Sequence, residues 1–175
     1  MSAYGRAHLA AERLFQDAAE RHGFSALVLR PCAVYGLPPS LERFRRWSLI
    51  PFDFPRQALT GRILLKSDGV QRRNFVAASQ LGNEIGNWLS GHKDGTTFLN
   101  SPGPDEMSIY DFAQLCAALR KEESGADCAI ERPASSATHP EGLHYKSLHT
   151  SAATTDSLRG HVHSLMHALS VTAKP

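Results

Sequence analysis

Tyr4-Gly5-Arg6-Ala7-His8 opens this chain, and about twenty residues on comes Leu29-Arg30-Pro31-Cys32-Ala33-Val34-Tyr35-Gly36. The segment between them decides the fold. Tyr4, Ala7, Ala11, Leu14, Phe15 and Ala18 recur at intervals of three and four, which predicts a helix over 3–22 with one apolar face. Gly23 is its expected stop. Ala26-Leu27-Val28-Leu29 is apolar at every position and has the length of a strand. A strand covered on both faces inside a parallel sheet reads this way. Pro31 ends it. A helix leading directly into such a strand is the second half of an αβ crossover. It predicts Ala7, Ala11, Leu14 and Leu29 as buried contacts.

The bulk numbers fit one soluble domain. The chain has 175 residues, enough for a single core. Its formal net charge of +2 is too small to argue for nucleic acid or an anionic membrane. Three cysteines, with no CxxC spacing, argue against a disulfide framework or a thiolate metal site. No apolar run approaches the ~20 residues that span a bilayer. These features predict a cytoplasmic protein that engages neither nucleic acid nor membrane.

Further along, Ser40 precedes a helix expected over 41–49, with Leu41, Phe44 and Trp47 as its stripe and Arg43, Arg45 and Arg46 on its rim. Segments 61–66 and 70–76 flank Asp68-Gly69 and read as two strands around a turn. Ser79 is the expected cap of a helix to Ser90, with Leu81, Ile85, Trp88 and Leu89 inward. Gly82 and Gly86, one turn apart, suggest close approach of a neighbouring backbone. A short strand follows at 96–100. Ser108 and Asp111 form a capping-box start. Ile109, Phe112, Cys116 and Leu119 mark the buried face of the helix that follows. Residues 132–153 read as loop with a short strand near 143–145, and a last helix covers about 156–170.

Three segments carry chemistry. Tyr4 and His8, four apart, share one helix face. A cation one turn from a tyrosine stabilises its phenolate, the form that takes a proton. Arg30-Pro31-Cys32-Ala33-Val34-Tyr35-Gly36 ends a strand at the carboxyl edge of a sheet, where open α/β folds hold ligands. Gly69-Val70-Gln71-Arg72-Arg73-Asn74-Phe75-Val76 reads by itself as a basic, solvated strand edge.

In this order and spacing the three segments resemble the NAD-dependent epimerase/dehydratases of the extended short-chain dehydrogenase/reductases, which act on nucleotide sugars. The family's first segment is Tyr-x-x-x-Lys, and His8 stands at its lysine position. The resemblance implies Tyr4 and His8 as catalytic and cofactor-binding residues. It further implies Pro31 and Val34 against the nicotinamide, and Ala33 and Arg73 on the substrate. Ala33 replaces a common asparagine. Asn74 replaces aspartate, and Ala77, Ala78, Ser79 and Gln80 replace His-Val-Asp-Asp.

The fold class implied is α/β: a partial Rossmann-like parallel sheet with helices, plus a small C-terminal substrate-binding lobe. Residues 1–36 and 70–100 would form the second half of the Rossmann-like domain, and residues 37–69 and 101–175 the lobe. The cofactor implied is NAD or NADP, and the partner a nucleotide sugar. The activity implied is epimerisation, dehydration or reduction. The thirteen glycines form no Gly-x-x-Gly-x-x-Gly loop, the element that cradles the dinucleotide. The expectation is therefore a C-terminal fragment that works with a separate cofactor-binding half, or as a homodimer, or survives as a non-catalytic sugar-nucleotide-binding remnant.

His161, His163 and His167 fall on the last helix. His163 and His167 have the spacing of an HExxH site, but no glutamate lies between them. They read as a solvated polar face with no metal. His139, His144 and His149 carry no ligand pattern.

Overall fold

A computed structural model describes residues 2–91, 94–134 and 154–172. The fold is mixed α/β, with five helices and seven strands among the described residues.

Helix α1 (Ala3–His22) begins where Ser2 accepts a hydrogen bond from the Gly5 amide at 3.1 Å. It ends at Gly23, whose φ of 67° is the left-handed conformation that closes a helix at little cost to glycine. Strand β1 (Ala26–Pro31) follows at once. It pairs in parallel with β5 (Thr96–Ser101), from Ala26 opposite Thr96 to Pro31 opposite Ser101. A second sheet has β4 (Arg72–Ala77) at its centre. There β2 (Ala33–Tyr35) lies parallel to it, and β6 (Asp105–Ser108) antiparallel. Strand β3 (Arg62–Leu64) pairs in parallel with β7 (Ala129–Glu131).

Three helices build the core around the second sheet. Helix α2 spans Ile50–Leu59 and α4 spans Ile109–Ser124. Helix α5 spans Leu158–Thr172. The Ser108–Asp111 capping box starts α4, as the sequence indicates, and Gly125 closes it. Ile109, Phe112, Cys116 and Leu119 are buried on its inner face. Phe112 stacks near Phe54 (5.9 Å between centroids) and Phe75 (5.0 Å). Leu158, Val162, Leu165 and Met166 close the core from α5.

Helix α3 (Ala78–Ser90) connects the two sheets. Residues Ala77 to Ala78 pass straight from strand to helix, so the N-cap is Ala77 rather than Ser79. The Ser79 hydroxyl instead donates to Asp156 at 2.5 Å.

Several local expectations are corrected. Helix α1 forms, but Ala7, Ala11 and Leu14 are exposed and Leu29 is only half-buried. The physical reason is the width of the first sheet: two strands cannot cover the helix face. Residues 41–49 form turns, and the helix starts at Ile50. Pro51 sits in its first turn, where a missing N–H costs nothing. Phe44 and Trp47 still pack together, edge to face at 4.9 Å. The Asp68-Gly69 turn is present, with the Val70 amide donating to Asp68. However, β3 and β4 leave it for different sheets instead of forming a pair. In α3 the inward side chains are Gln80 and Glu84, while Ile85 and Leu89 face out. No backbone approaches Gly82 or Gly86. The close approach is at Gly103, where an added Cβ would fall 1.8 Å from the Phe75 carbonyl oxygen. The strand expected near 143–145, and His139, His144 and His149, lie outside the described residues. No helix among the described residues is long and apolar enough to cross a membrane.

Candidate functional site

The rings of Tyr4 and His8 are in contact on the first turns of α1, tilted by 51° with their centroids 4.2 Å apart. Helical spacing alone brings them together. One turn further, Glu12 receives two hydrogen bonds from Arg30, at 2.9 and 2.6 Å. Those bonds, with the nearby charges of Arg30 and His8, hold the Glu12 carboxyl below the usual carboxylate range against the opposing effect of burial. Arg30 also lies over the Phe98 ring, 5.0 Å from its centroid. The Glu12–Arg30 fork therefore ties the helix bearing Tyr4 to the end of β1. Sequence reasoning missed this pair. The signal was present: Glu12 continues the Tyr4, His8 spacing by one more turn, and Arg30 opens the second segment.

Pro31 is exposed at the end of β1. Ala33 and Val34 stand in the other sheet, opposite Phe75 and Val76 of β4. Between them, Cys32 has its thiol pushed up to about 11, by burial first and the Glu106 charge second. It is an inert thiol at neutral pH. Tyr35 is buried, and its hydroxyl donates to the Asp156 carbonyl at 3.2 Å. Burial, then Asp105 and Asp156, push it up to about 12. Beside it a cleft of about 350 Å³ is lined by Tyr35, Gly36, Asp156, Ser157, His161 and Ser164.

Arg72 and Arg73 diverge in role. Arg72 donates to the Glu106 carboxylate at 2.9 Å and to the Glu106 carbonyl at 3.1 Å. Arg73 is exposed and, among the described residues, bonds the Arg72 carbonyl alone, at 3.1 Å. Among the described residues no carboxylate neutralises it. Asn74, next along β4, accepts from the Gly103 amide at 2.8 Å and donates to the Gly103 carbonyl at 2.9 Å. An ionised aspartate could only accept. The amide at 74 thus fits the tight crossing of Gly103 over β4.

The histidine expectation is corrected in one part. His161 is buried. Pro55, inside α2, has no N–H to give to the Pro51 carbonyl four residues back. His161 Nε2 stands 3.0 Å from that oxygen and donates to it, which leaves Nδ1 unprotonated when the ring is neutral. Burial holds its pKa below the ordinary value, with the Pro51 bond acting in the opposite direction. His163 is exposed and lies 3.5 Å from Glu123. The three histidines do not share one face.

Residues 1–83 match the model of the NAD dependent epimerase/dehydratase family. No curated protein matches the chain in sequence. Among solved structures, MoeE5 in complex with UDP-glucose and NAD is 21% identical, with a TM-score of 0.74 over 99% of this chain and 57% of that one. UDP-glucose 4-epimerase from Thermotoga maritima is 17% identical, with a TM-score of 0.68 over 99% and 55%. dTDP-glucose 4,6-dehydratase from Bacillus anthracis, in complex with NAD, is 13% identical, with a TM-score of 0.72 over 98% and 53%. The chain spans a little over half the length of each of these structures. Residues 1–83 thus resemble the NAD-dependent epimerase/dehydratase family in sequence, and the Rossmann-like fold is similar to that of a little over half of each of these structures.

Proposed function

We propose that this chain is the nucleotide-sugar-binding part of an NAD- or NADP-dependent epimerase, dehydratase or reductase. The observation that carries the reading is Arg73. An exposed guanidinium on a strand, with no carboxylate on it among the described residues, beside an Arg72 that has one, is ready for a diphosphate. Ala33, on the neighbouring strand, lies opposite Phe75, two positions past Arg73, and belongs to the same substrate side in this reading. Residues 1–36 and 70–100 form the Rossmann-like portion, and 37–69 and 101–175 the substrate lobe. The reading places the protein in the cytoplasm, where nucleotide sugars are made.

The Tyr4–His8 ring contact, the exposed Pro31 and the half-buried Val34 suit the nicotinamide end of a dinucleotide. The pyrophosphate needs backbone N–H groups that these 175 residues do not offer in a Gly-x-x-Gly-x-x-Gly loop. When bound, the nicotinamide supplies a hydride acceptor. The chain's own residues handle the proton. The Tyr4 phenolate takes it from a sugar hydroxyl, and His8, one turn away, orients the ring and contributes charge when protonated. Arg73 holds the diphosphate, and the Glu12–Arg30 fork fixes the helix that carries the base.

The test is calorimetric titration of UDP-glucose and dTDP-glucose into the chain and into Arg73→Gln. Loss of a charged hydrogen-bond donor predicts affinity weaker by roughly tenfold or more. Equal affinity in both proteins, or no binding of either nucleotide sugar, sinks the assignment.

A further inference from the structure

A cleft of about 700 Å³ opens where α2, α4 and α5 come together. That volume suits a small organic molecule. Leu59, Met166 and Leu169 give it an apolar wall, and Arg120 of α4 brings a cation to it. Arg120 is half-buried. Its Nη1 donates to the Leu59 carbonyl at 2.5 Å, which closes the end of α2. Its Nε is buried and has no hydrogen-bond partner among the described residues. A buried donor without an acceptor is unfavourable, and folded proteins almost always supply one. Glu123, three residues on, has the helical spacing for an ion pair with Arg120. It faces His163 of α5 instead, 3.5 Å away. Among the described residues the Arg120 guanidinium therefore has no carboxylate.

We infer that this cleft binds a small monocarboxylate with an apolar body. A guanidinium pairs best with a carboxylate through two parallel N–H donors. With Nη1 held on Leu59, the edge left for that pairing is Nε with Nη2. A small turn of the guanidinium about the Leu59 bond presents this edge to the cleft. The apolar body then rests on Leu59, Met166 and Leu169. The surroundings select a single negative charge. Leu59 ends α2 and Ser124 ends α4, so the carbonyl ends of two helices, each partly negative, lie at the cleft together with Glu123. They oppose a phosphate dianion more strongly than a carboxylate. No residue of the proposed nucleotide-sugar site lines this cleft, so the inference stands apart from that reading.

The experiment is nuclear magnetic resonance of the isotopically labelled chain, titrated with benzoate, with benzamide as its uncharged counterpart, and with inorganic phosphate. Benzoate should shift, saturably, the Arg120 Nε–H signal and the methyl signals of Leu59, Met166 and Leu169. Benzamide and phosphate should each bind at least about tenfold more weakly. Arg120→Gln should weaken benzoate binding by about tenfold or more, because the charged donor pair is gone. If that variant fails to fold for want of the Leu59 bond, Leu169→Trp keeps Arg120, fills the cleft and should abolish the shifts. Equal binding of benzoate and benzamide would mean that the guanidinium is not read, and would overturn the inference. So would phosphate binding as tightly as benzoate, shifts centred on Arg73 or another surface arginine, or no saturable shift at millimolar benzoate. Unchanged benzoate affinity in Leu169→Trp would also place the ligand elsewhere and overturn it.

Discussion

Helix α4 and helix α1 have the same kind of apolar spacing and opposite fates. On α4, Ile109, Phe112, Cys116 and Leu119 all reach the core, against β4, α2 and α5. On α1, only Ala19 is buried. The sequence periodicity marks which face is meant to be covered; it does not say what covers it. For α4 the covering elements are in the described chain. For α1 the sheet has two strands among the described residues, and they leave the face open. The two regions therefore separate a self-sufficient core from a surface whose residues are chosen for an interior.

Truncation of side chains should show this difference most strongly. Phe112→Ala removes a ring packed on Phe54 and Phe75 and is expected to cost about 3–5 kcal/mol. Leu14→Ala, at an equally apolar position, should change stability by no more than about 0.5 kcal/mol. Urea unfolding of both variants checks the pair. Comparable losses would mean that α1 is covered in solution.

A smaller effect is expected where the two sheets meet. Gly103→Ala would force a Cβ to within 1.8 Å of the Phe75 carbonyl oxygen. The backbone must shift and the two Asn74–Gly103 bonds must stretch, at a cost of about 2–3 kcal/mol. Gly82→Ala, with open space around it, should be neutral or slightly stabilising. Thermal melts of the two variants would separate them, and equal melting temperatures would contradict the crossing described.

What was legible in the sequence follows the same division. The α1–β1 unit, the strand at 96, the Ser108 capping box and the inner face of α4 all rest on local periodicity or on one cap. Those signals survive without knowledge of neighbours. The partners of strands did not survive. Asp68-Gly69 is a real turn, but β3 and β4 part after it, and β7 and β6 complete their sheets from far along the chain. Strands as short as β2 and β7 give no periodicity to read. For the candidate site, Tyr4 and His8 could be paired from spacing alone, while Glu12 and Arg30 meet only through the tertiary fold. His161 was misread as solvated because its partner is a carbonyl orphaned by Pro55, and no side-chain pattern announces a carbonyl.

His161 also sharpens the comparison through pH, because it belongs to the closed core. Its folded pKa lies below its ordinary value, mainly from burial. The unfolded chain takes up a proton near pH ~6.5, and the folded chain does not until lower pH. The unfolded state then binds more protons, so stability is full above about 6.5 and falls as pH drops below it. The slope from one such group is at most about 1.4 kcal/mol per pH unit. His161→Phe should be less stable at pH 8, through the lost Pro51 bond, and show a shallower decline between pH 7 and 5. Chemical unfolding at several pH values measures both. An unchanged decline would assign the acid sensitivity to other groups.

The smallest expected effect lies at His8, on the open region, and needs that region covered before it can be read. Take the chain joined to a cofactor-binding body and compare it with His8→Lys. A permanent ammonium one turn from Tyr4 stabilises the phenolate more than an imidazole can. The expected gain in rate is up to about tenfold, which corresponds to about 1.4 kcal/mol. The gain should appear near neutral pH and shrink in alkaline medium. The introduced ammonium would also sit one turn from Glu12, whose carboxylate is held by Arg30. If it drew Glu12 away from Arg30, helix and strand would loosen, and the melting temperature would fall along with the rate. A pH–rate profile together with a thermal melt distinguishes these outcomes. A higher neutral-pH rate at constant melting temperature supports His8 as a weakened lysine position. A lower rate at constant melting temperature means that the imidazole has a role of its own.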